Sequence, residues 1–305
     1  MMQPLFLSKS LQFSGFCTTF APANNNKMNK TLLLLTVAIA SITKTCDNKL
    51  TESAEKLKAG TEVTAQTKES EPQHDAATTL ALDSFATAPA KASTVQFLHR
   101  HAYTVCYNAE ARLPHWVAWR LTADHVSGPY KRGGIKFQED EQVPAPRATD
   151  NDYRSSGYDR GHMCPSGDNK WSEVAQRESF LLTNVCPQTH NLNAGDWNEM
   201  EQQCRRWAEQ YGEIYVVCGP ILYSQKHKTL GKSKVVVPEA FFKVVLCLGD
   251  NPKAVGFIYK NEDGNRPMGD YVNTVDQVER ITGIDFFPTL PDSIESRIEA
   301  ETTLL

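Results

Sequence analysis

YDRGHMCPSGD (residues 158–168) and LLTNVCPQTHNLNAGDWNEMEQQCR (residues 181–205) are the most informative stretches of this chain. They contain His162 as a candidate base, Asn193 as a candidate metal ligand and Glu201 as a candidate site carboxylate, within roughly forty residues. Imidazole titrates near neutral pH, and amide and carboxylate oxygens suit hard cations. The set therefore contains the groups that metal-assisted cleavage of a phosphodiester needs.

The second stretch leads into the clearest helix of the sequence. From 196 to 211 the apolar residues recur at helical spacing, and a glycine follows. A shorter helix is predicted from about 275 to 282, because Thr274 and Gln277 are arranged as a capping box and Gly283 follows.

Several short segments alternate in polarity or are apolar throughout, which is typical of strands. They are residues 116–122, 179–184, 214–218, 241–248 and 254–259. Strands outnumber helices, and hairpin-like neighbours outnumber strand-helix-strand units. We therefore expect an α+β fold, with a mainly antiparallel central sheet flanked by helices.

Each candidate residue also has an ordinary structural explanation. Asn193 directly precedes the main helix, where asparagine is a good N-cap. Glu201 and Arg205 have the i,i+4 spacing of a common helical ion pair. A single histidine such as His162 is most often structural. Taken singly, these residues do not separate catalysis from structure.

Taken as a set, the two stretches closely resemble the DNA/RNA non-specific endonuclease family, whose members share a DRGH motif. Further similar stretches are RGGIKFQED (132–140), VPEAFFKVVL (237–246) and TGIDFFPTLPD (282–292). The resemblance covers about residues 95–292. It implies a ββα-metal (His-Me finger) active site and hydrolysis of DNA and RNA with little sequence specificity.

The resemblance also implies how the reaction is shared among residues. His162 would be the general base, and Asn193 would be the direct ligand of one Mg²⁺, with Mn²⁺ or Ca²⁺ as alternatives. Glu201 would hold a metal-bound water. These roles predict weak metal affinity, since Mg²⁺ keeps most of its water in such sites.

Three arginines would offset negative charge on the phosphate in this interpretation. They are Arg132, Arg160 and Arg205, with Arg147 and Arg154 as alternatives to Arg132. Asp159 would orient the loop that carries His162. Asn184 would fix the metal-site loop by hydrogen bonding or be purely structural.

The chain is predicted to start with an N-terminal extension and signal peptide, residues 1–46. An apolar run at 31–42 follows Lys27 and Lys30, which is typical of a secretion signal, a buried helix being the alternative. Cys46 is a possible site of lipid attachment. We expect a secreted or periplasmic protein, either free or anchored to a membrane surface.

The rest of the chain divides by composition. Residues 47–94 are poor in aromatic residues and predict a disordered linker, 95–292 form the endonuclease-like domain, and 293–305 are a C-terminal tail. The domain holds six of the eight cysteines without a CxxC pair, which favours buried thiols or one or two disulfides over structural zinc.

The formal net charge of −4 is unusual for a protein with a polyanionic partner. A local basic groove would be enough, and lysines occur at 131–136 and 226–234. The acidic charge and long linker also fit a non-catalytic surface lipoprotein of the same fold that binds a polyanion or a partner protein. A metal phosphodiesterase acting on small nucleotides is a third hypothesis, and the oligomeric state is left open.

Overall fold

The computed structural model describes residues 84–262 and 264–305. The predicted signal peptide, the lipid attachment at Cys46 and most of the predicted linker lie outside the described residues. Within those residues, no helix has both the length and the apolar character needed to cross a membrane.

A seven-stranded antiparallel sheet forms the centre of the described fold. Its strands, in chain order and in order of pairing, are β1 (Gln96–His99), β2 (Thr104–Asn108), β3 (Leu113–Thr122), β6 (Glu213–Ile221), β9 (Ala240–Cys247), β10 (Lys253–Lys260) and β11 (Val272–Asn273). Two small two-stranded sheets are formed by β4 (Asp159–His162) with β5 (Val185–Gln188), and by β7 (Thr229–Leu230) with β8 (Val235–Val236). The predicted α+β class with a mainly antiparallel sheet is confirmed.

The helices of the described residues are α1 (Asp150–Tyr153), α2 (Glu173–Glu178), α3 (His190–Ala194), α4 (Asp196–Tyr211), α5 (Val275–Thr282) and α6 (Asp292–Glu299). Both predicted helices, α4 and α5, are confirmed. The hydroxyl of Thr274 accepts a hydrogen bond from the backbone N–H of Gln277, and Gly283 ends α5 in the left-handed conformation.

Most predicted strands overlap observed ones, but the segment 179–184 does not form a strand. Its end is a single 3-10 turn, Leu182–Asn184, which leads into β5. The buried side chain of Asn184 bonds to backbone groups of Cys164 and Ser179, and these bonds compete with strand pairing.

Alternating residues of the sheet supply two apolar clusters. Phe241 and Val245 of β9 belong to a cluster that also includes Trp197 of α4. Phe242 and Val244 belong to a second cluster, which includes Val275, Val278 and Ile298 from α5 and α6. The clusters therefore lie on opposite faces of β9, with α4 on one face and α5 and α6 on the other.

The fold uses residues on both sides of the predicted domain 95–292. Phe85 stacks on Tyr215 with ring centroids 4.6 Å apart, and Ala86 pairs with Phe286. At the other end, α6 lies mostly in the predicted tail, and its Ile298 is fully buried. Phe85, Ala86 and Ile298 lie in mostly polar stretches without a regular apolar pattern. The sequence therefore did not predict that these residues pack on the domain.

All six cysteines of the described part are buried and unbridged. Of the two options left open by the sequence, the structure has buried thiols. They behave as small apolar side chains within the core.

Candidate active site

The site is built on the two-stranded sheet of β4 and β5 and on the helices α3 and α4 that follow it. His162 is the last residue of β4 and pairs with Val185, while Asp159 at the other end pairs with Gln188. The indole N–H of Trp197 donates to the His162 carbonyl oxygen at 3.2 Å, and this hydrogen bond joins β4 to α4. A Cβ at Gly161 would overlap the Gln188 side chain, so the glycine leaves room for this buried side chain.

A cleft of about 1020 Å³ opens beside β4. Its lining includes Lys131, Arg132, Asp159, Arg160, His162, Lys170, Asn193, Glu201 and Arg205. The structure therefore brings all the predicted catalytic residues together with Asn193. Five of these residues are lysines or arginines, which concentrates positive charge locally in a chain of net charge −4.

His162 lies in an aromatic wall of this cleft. Its ring centroid is 5.0 Å from that of Phe137 and 4.9 Å from that of Phe180, which meets it edge-on. Burial, with a smaller effect of the Arg132 charge, lowers the pKa of His162 to about 3. Among the described residues Nε2 has no hydrogen-bond partner. The imidazole is therefore neutral at physiological pH, the form that accepts a proton.

Asn193 lies in α3 and is held by Asp159. Its amide nitrogen donates to Asp159 Oδ2 at 2.9 Å, and His190 Nδ1 lies 2.8 Å from the same oxygen. Asp159 thus contacts the helix that carries Asn193. The capping interpretation of Asn193 is wrong, because Gly195 separates two helices and is itself the N-cap of α4.

Glu201 and Arg205 are partly buried and belong to a network with the buried Asp168, not to a simple surface ion pair. Arg205 Nη1 donates to Asp168 Oδ1 at 2.8 Å and lies 4.0 Å from Glu201 Oε2. Trp119 Nε1 donates to the other Asp168 oxygen at 3.1 Å. The buried Asp168 carboxylate therefore fixes the position of Arg205 at the edge of the cleft.

Lys243 of β9 lies beneath this network and is fully buried. Its Nζ is 4.2 Å from the ring centroid of Trp197 and 5.6 Å from that of Trp119. No described residue forms a hydrogen bond with Nζ. Sequence reasoning missed both Lys243 and Asp168, although a single lysine within the apolar run AFFKVVLC was an available signal.

Burial raises the pKa of Glu201 to about 7, although Lys243, Arg205 and Arg132 oppose the shift. Between the ordinary value of 4.5 and about 7, the folded protein binds more protons at this carboxyl than the unfolded chain does. The stability contributed by this group therefore falls as pH rises through that range.

Replacing Glu201 by glutamine is accordingly expected to stabilise the metal-free protein at pH 8. The free energy of unfolding should rise by about 1–2 kcal/mol at pH 8, where the substitution removes the charge of the Glu201 carboxylate. It should change little at pH 4.5, where that carboxyl is protonated in the folded protein. Urea unfolding in EDTA at the two pH values measures this difference. An equal change at both pH values would contradict the burial argument.

The arginines differ in what holds them. Arg132 is exposed in the cleft. Arg160 Nε lies 2.6 Å from Asp150 Oδ1 and is held near the cleft wall. Of the alternatives to Arg132, Arg147 pairs with Glu139 and Arg154 is highly exposed. Neither of these two side chains lines the cleft, whereas Arg132 does.

Asn184 directly precedes β5, is fully buried, and bonds to the segment that follows His162. Its Oδ1 accepts from the Cys164 N–H at 2.9 Å, and its Nδ2 donates to the carbonyl oxygens of Cys164 and Ser179, both at 2.8 Å. The side chain replaces backbone pairing for three groups. This geometry suits the supporting role considered for Asn184.

The Asn184→Ala substitution is expected to lower the free energy of unfolding by about 3 kcal/mol, since it leaves several buried backbone groups unpaired. Asn191→Ala, at an exposed position of α3, is the control and should cost less than about 0.5 kcal/mol. Urea denaturation of both variants measures the difference. Similar costs for the two substitutions would argue against the supporting role.

Comparisons with known proteins point to one family. The profile of the DNA/RNA non-specific endonuclease family matches residues 83–293. Mitochondrial nuclease EXOG of Danio rerio is 36% identical over 208 residues, which cover 62% of this chain and 60% of that protein. Nuclease C1 of Cunninghamella echinulata is 34% identical over 224 residues, covering 68% and 88%. A crystal structure of the EndoG/EndoGI complex superposes with a TM-score of 0.62 at 28% identity, covering 66% of this chain and 89% of that one.

Proposed function

The chain belongs to the DNA/RNA non-specific endonuclease family, and we propose that it hydrolyses phosphodiester bonds of DNA and RNA with little sequence preference. The observation that carries the proposal is the convergence of His162, Asn193 and Glu201 in one cleft with a basic lining. Groups that engage the phosphate backbone read no base edges, which is the physical reason for low specificity.

The donor atoms of the cleft fit a hydrated divalent cation. The Asn193 amide nitrogen is engaged with Asp159, and its Oδ1 accepts no hydrogen bond from the part of the chain that the structure describes. This oxygen would hold the cation, and Glu201 would hold one of the waters around it. When bound, the cation would stabilise negative charge developing on the phosphate. We propose Mg²⁺, with Mn²⁺ or Ca²⁺ as alternatives.

The chain's own residues would supply the remaining chemistry. Neutral His162 would take the proton from the attacking water. Arg132, Arg160 and Arg205 would lie against the phosphate and offset its charge. Because Asp168 holds Arg205 from below, the Arg205 guanidinium would be preorganised for this contact.

A cleavage assay on plasmid DNA and on a long RNA, with and without EDTA, tests this function. Both polymers should be cut, EDTA should stop the cutting, and adding back Mg²⁺, Mn²⁺ or Ca²⁺ singly identifies the working ion. Retention of nucleic acid without cutting would favour the non-catalytic binding protein. Hydrolysis of dinucleotides alone would favour the small-nucleotide phosphodiesterase.

We also propose export of the protein, free or anchored through a lipid on Cys46. The support is the apolar run at residues 31–42 behind two lysines. Cell fractionation of the natural chain and of Cys46→Ser separates the two forms. A membrane-bound protein that becomes free on this substitution is anchored, whereas a cytoplasmic location of both would contradict export.

A further inference from the structure

A group of three acidic side chains lies on the face of the sheet opposite the cleft. Asp276 and Glu279 belong to α5, and Glu299 belongs to α6. Each contributes one carboxylate oxygen to a set in which all three oxygens lie within 4.8 Å of one another. The group therefore joins the two helices that cover this face.

Glu299 is the unusual member of the group because it is buried. The residue is 6% exposed, and its Oε1 has no hydrogen-bond partner among the described residues. A buried carboxylate without a partner is costly, so the group requires either a proton or a cation.

No lysine, arginine or histidine in the described ranges forms an ion pair with Asp276, Glu279 or Glu299. The nearest compensation is one backbone group, since Glu279 Oε1 accepts from the Phe286 N–H at 2.8 Å. The other oxygen of Glu279 remains available to a ligand. Side chains of the described residues therefore do not neutralise the cluster.

We propose that Asp276, Glu279 and Glu299 form a structural Ca²⁺ site that fastens α6 to α5. Calcium takes oxygen ligands at 2.3–2.6 Å, so two of its ligands are separated by up to roughly 5 Å, and the cluster meets that limit. An oxygen-only set without cysteine or histidine disfavours zinc. Mg²⁺ demands stricter geometry and gives up water reluctantly, so a site made of three protein carboxylates favours Ca²⁺.

The ion would act on stability and not on chemistry. Ile298, next to Glu299, packs into the apolar cluster on this face of the sheet together with Val275 and Val278. His162 and α4 lie on the opposite face. Bound Ca²⁺ would therefore hold the C-terminal helix in place without changing the residues of the cleft.

The test compares the melting temperature in EDTA and in saturating Ca²⁺ at pH 8.5. At a hundred times Kd, Ca²⁺ is expected to raise the melting temperature by roughly 5–10 °C. Glu299→Gln should abolish this response and one binding site in calorimetric titration with Ca²⁺, and should leave cleavage in Mg²⁺ unchanged. The control, Glu301→Gln, removes an exposed charge from the same end of the chain and should retain the response.

Because Ca²⁺ can also enter the cleft, the same titrations are made in the Asn193→Ala background, where the Glu299-dependent response should persist. The proposal is overturned if Ca²⁺ does not raise the melting temperature of the natural chain. It is equally overturned if Glu299→Gln and Glu301→Gln respond alike. A Ca²⁺-independent rise in melting temperature for Glu299→Gln, with no Ca²⁺ response in the natural chain, would show that the cluster holds a proton instead.

Discussion

Cleavage of plasmid DNA is expected to fall on the order of a thousand-fold when His162 is replaced by alanine. The ring is the neutral imidazole of the cleft, and alanine leaves nothing at that position to take a proton from water. Loss of packing against Phe137 and Phe180 should reduce stability without unfolding the protein. Single-turnover rates, together with circular dichroism, measure the two effects separately.

The matched control for this variant is His227→Ala. His227 pairs with Glu239 at 2.8 Å and does not line the cleft, so its removal should leave the rate nearly unchanged. Free imidazole in the buffer should restore part of the activity of His162→Ala, since it supplies the missing base. A folded His162→Ala protein that cuts at the natural rate would refute the base assignment.

Local signals in the sequence predicted the parts of the fold that local physics determines. The bounds of α4 and α5 follow from apolar spacing, a capping box and terminal glycines, all contained within one segment. The position of Asn193 was harder to predict, because it lies within a short helix, α3, which a break at Gly195 separates from α4. Helical spacing alone does not reveal such a break.

The network beneath the cleft was not predictable because its members come together only through the sheet. Lys243 lies on β9, Trp119 lies on β3, and Asp168 belongs to the connection between β4 and β5. Their contacts depend on which face each strand presents, which a one-residue change of register would reverse. The DRGH stretch identified the family and the residues that line the cleft, while the supporting residues required the three-dimensional arrangement.

Asn193→Ala is expected to raise the Mg²⁺ concentration needed for half-maximal cleavage by on the order of 10- to 100-fold. The substitution removes the oxygen proposed to hold the cation. The free energy of unfolding should change by less than about 1 kcal/mol, because Gly195, and not Asn193, caps α4. Cleavage rates over a series of Mg²⁺ concentrations and urea denaturation in EDTA measure the two quantities. An unchanged Mg²⁺ requirement would contradict the ligand assignment.

Asn193→Asp separates a ligand from a simple contact to Asp159. This substitution keeps an oxygen for the cation but replaces the hydrogen bond that Asp159 receives at 2.9 Å by repulsion between two carboxylates. In EDTA the variant should therefore be less stable than Asn193→Ala. Mg²⁺ should stabilise it more than it stabilises the natural chain, because a cation between two carboxylates relieves their repulsion. Thermal melting of the three proteins with and without Mg²⁺ tests this order, and equal Mg²⁺ responses in all three would place the cation elsewhere.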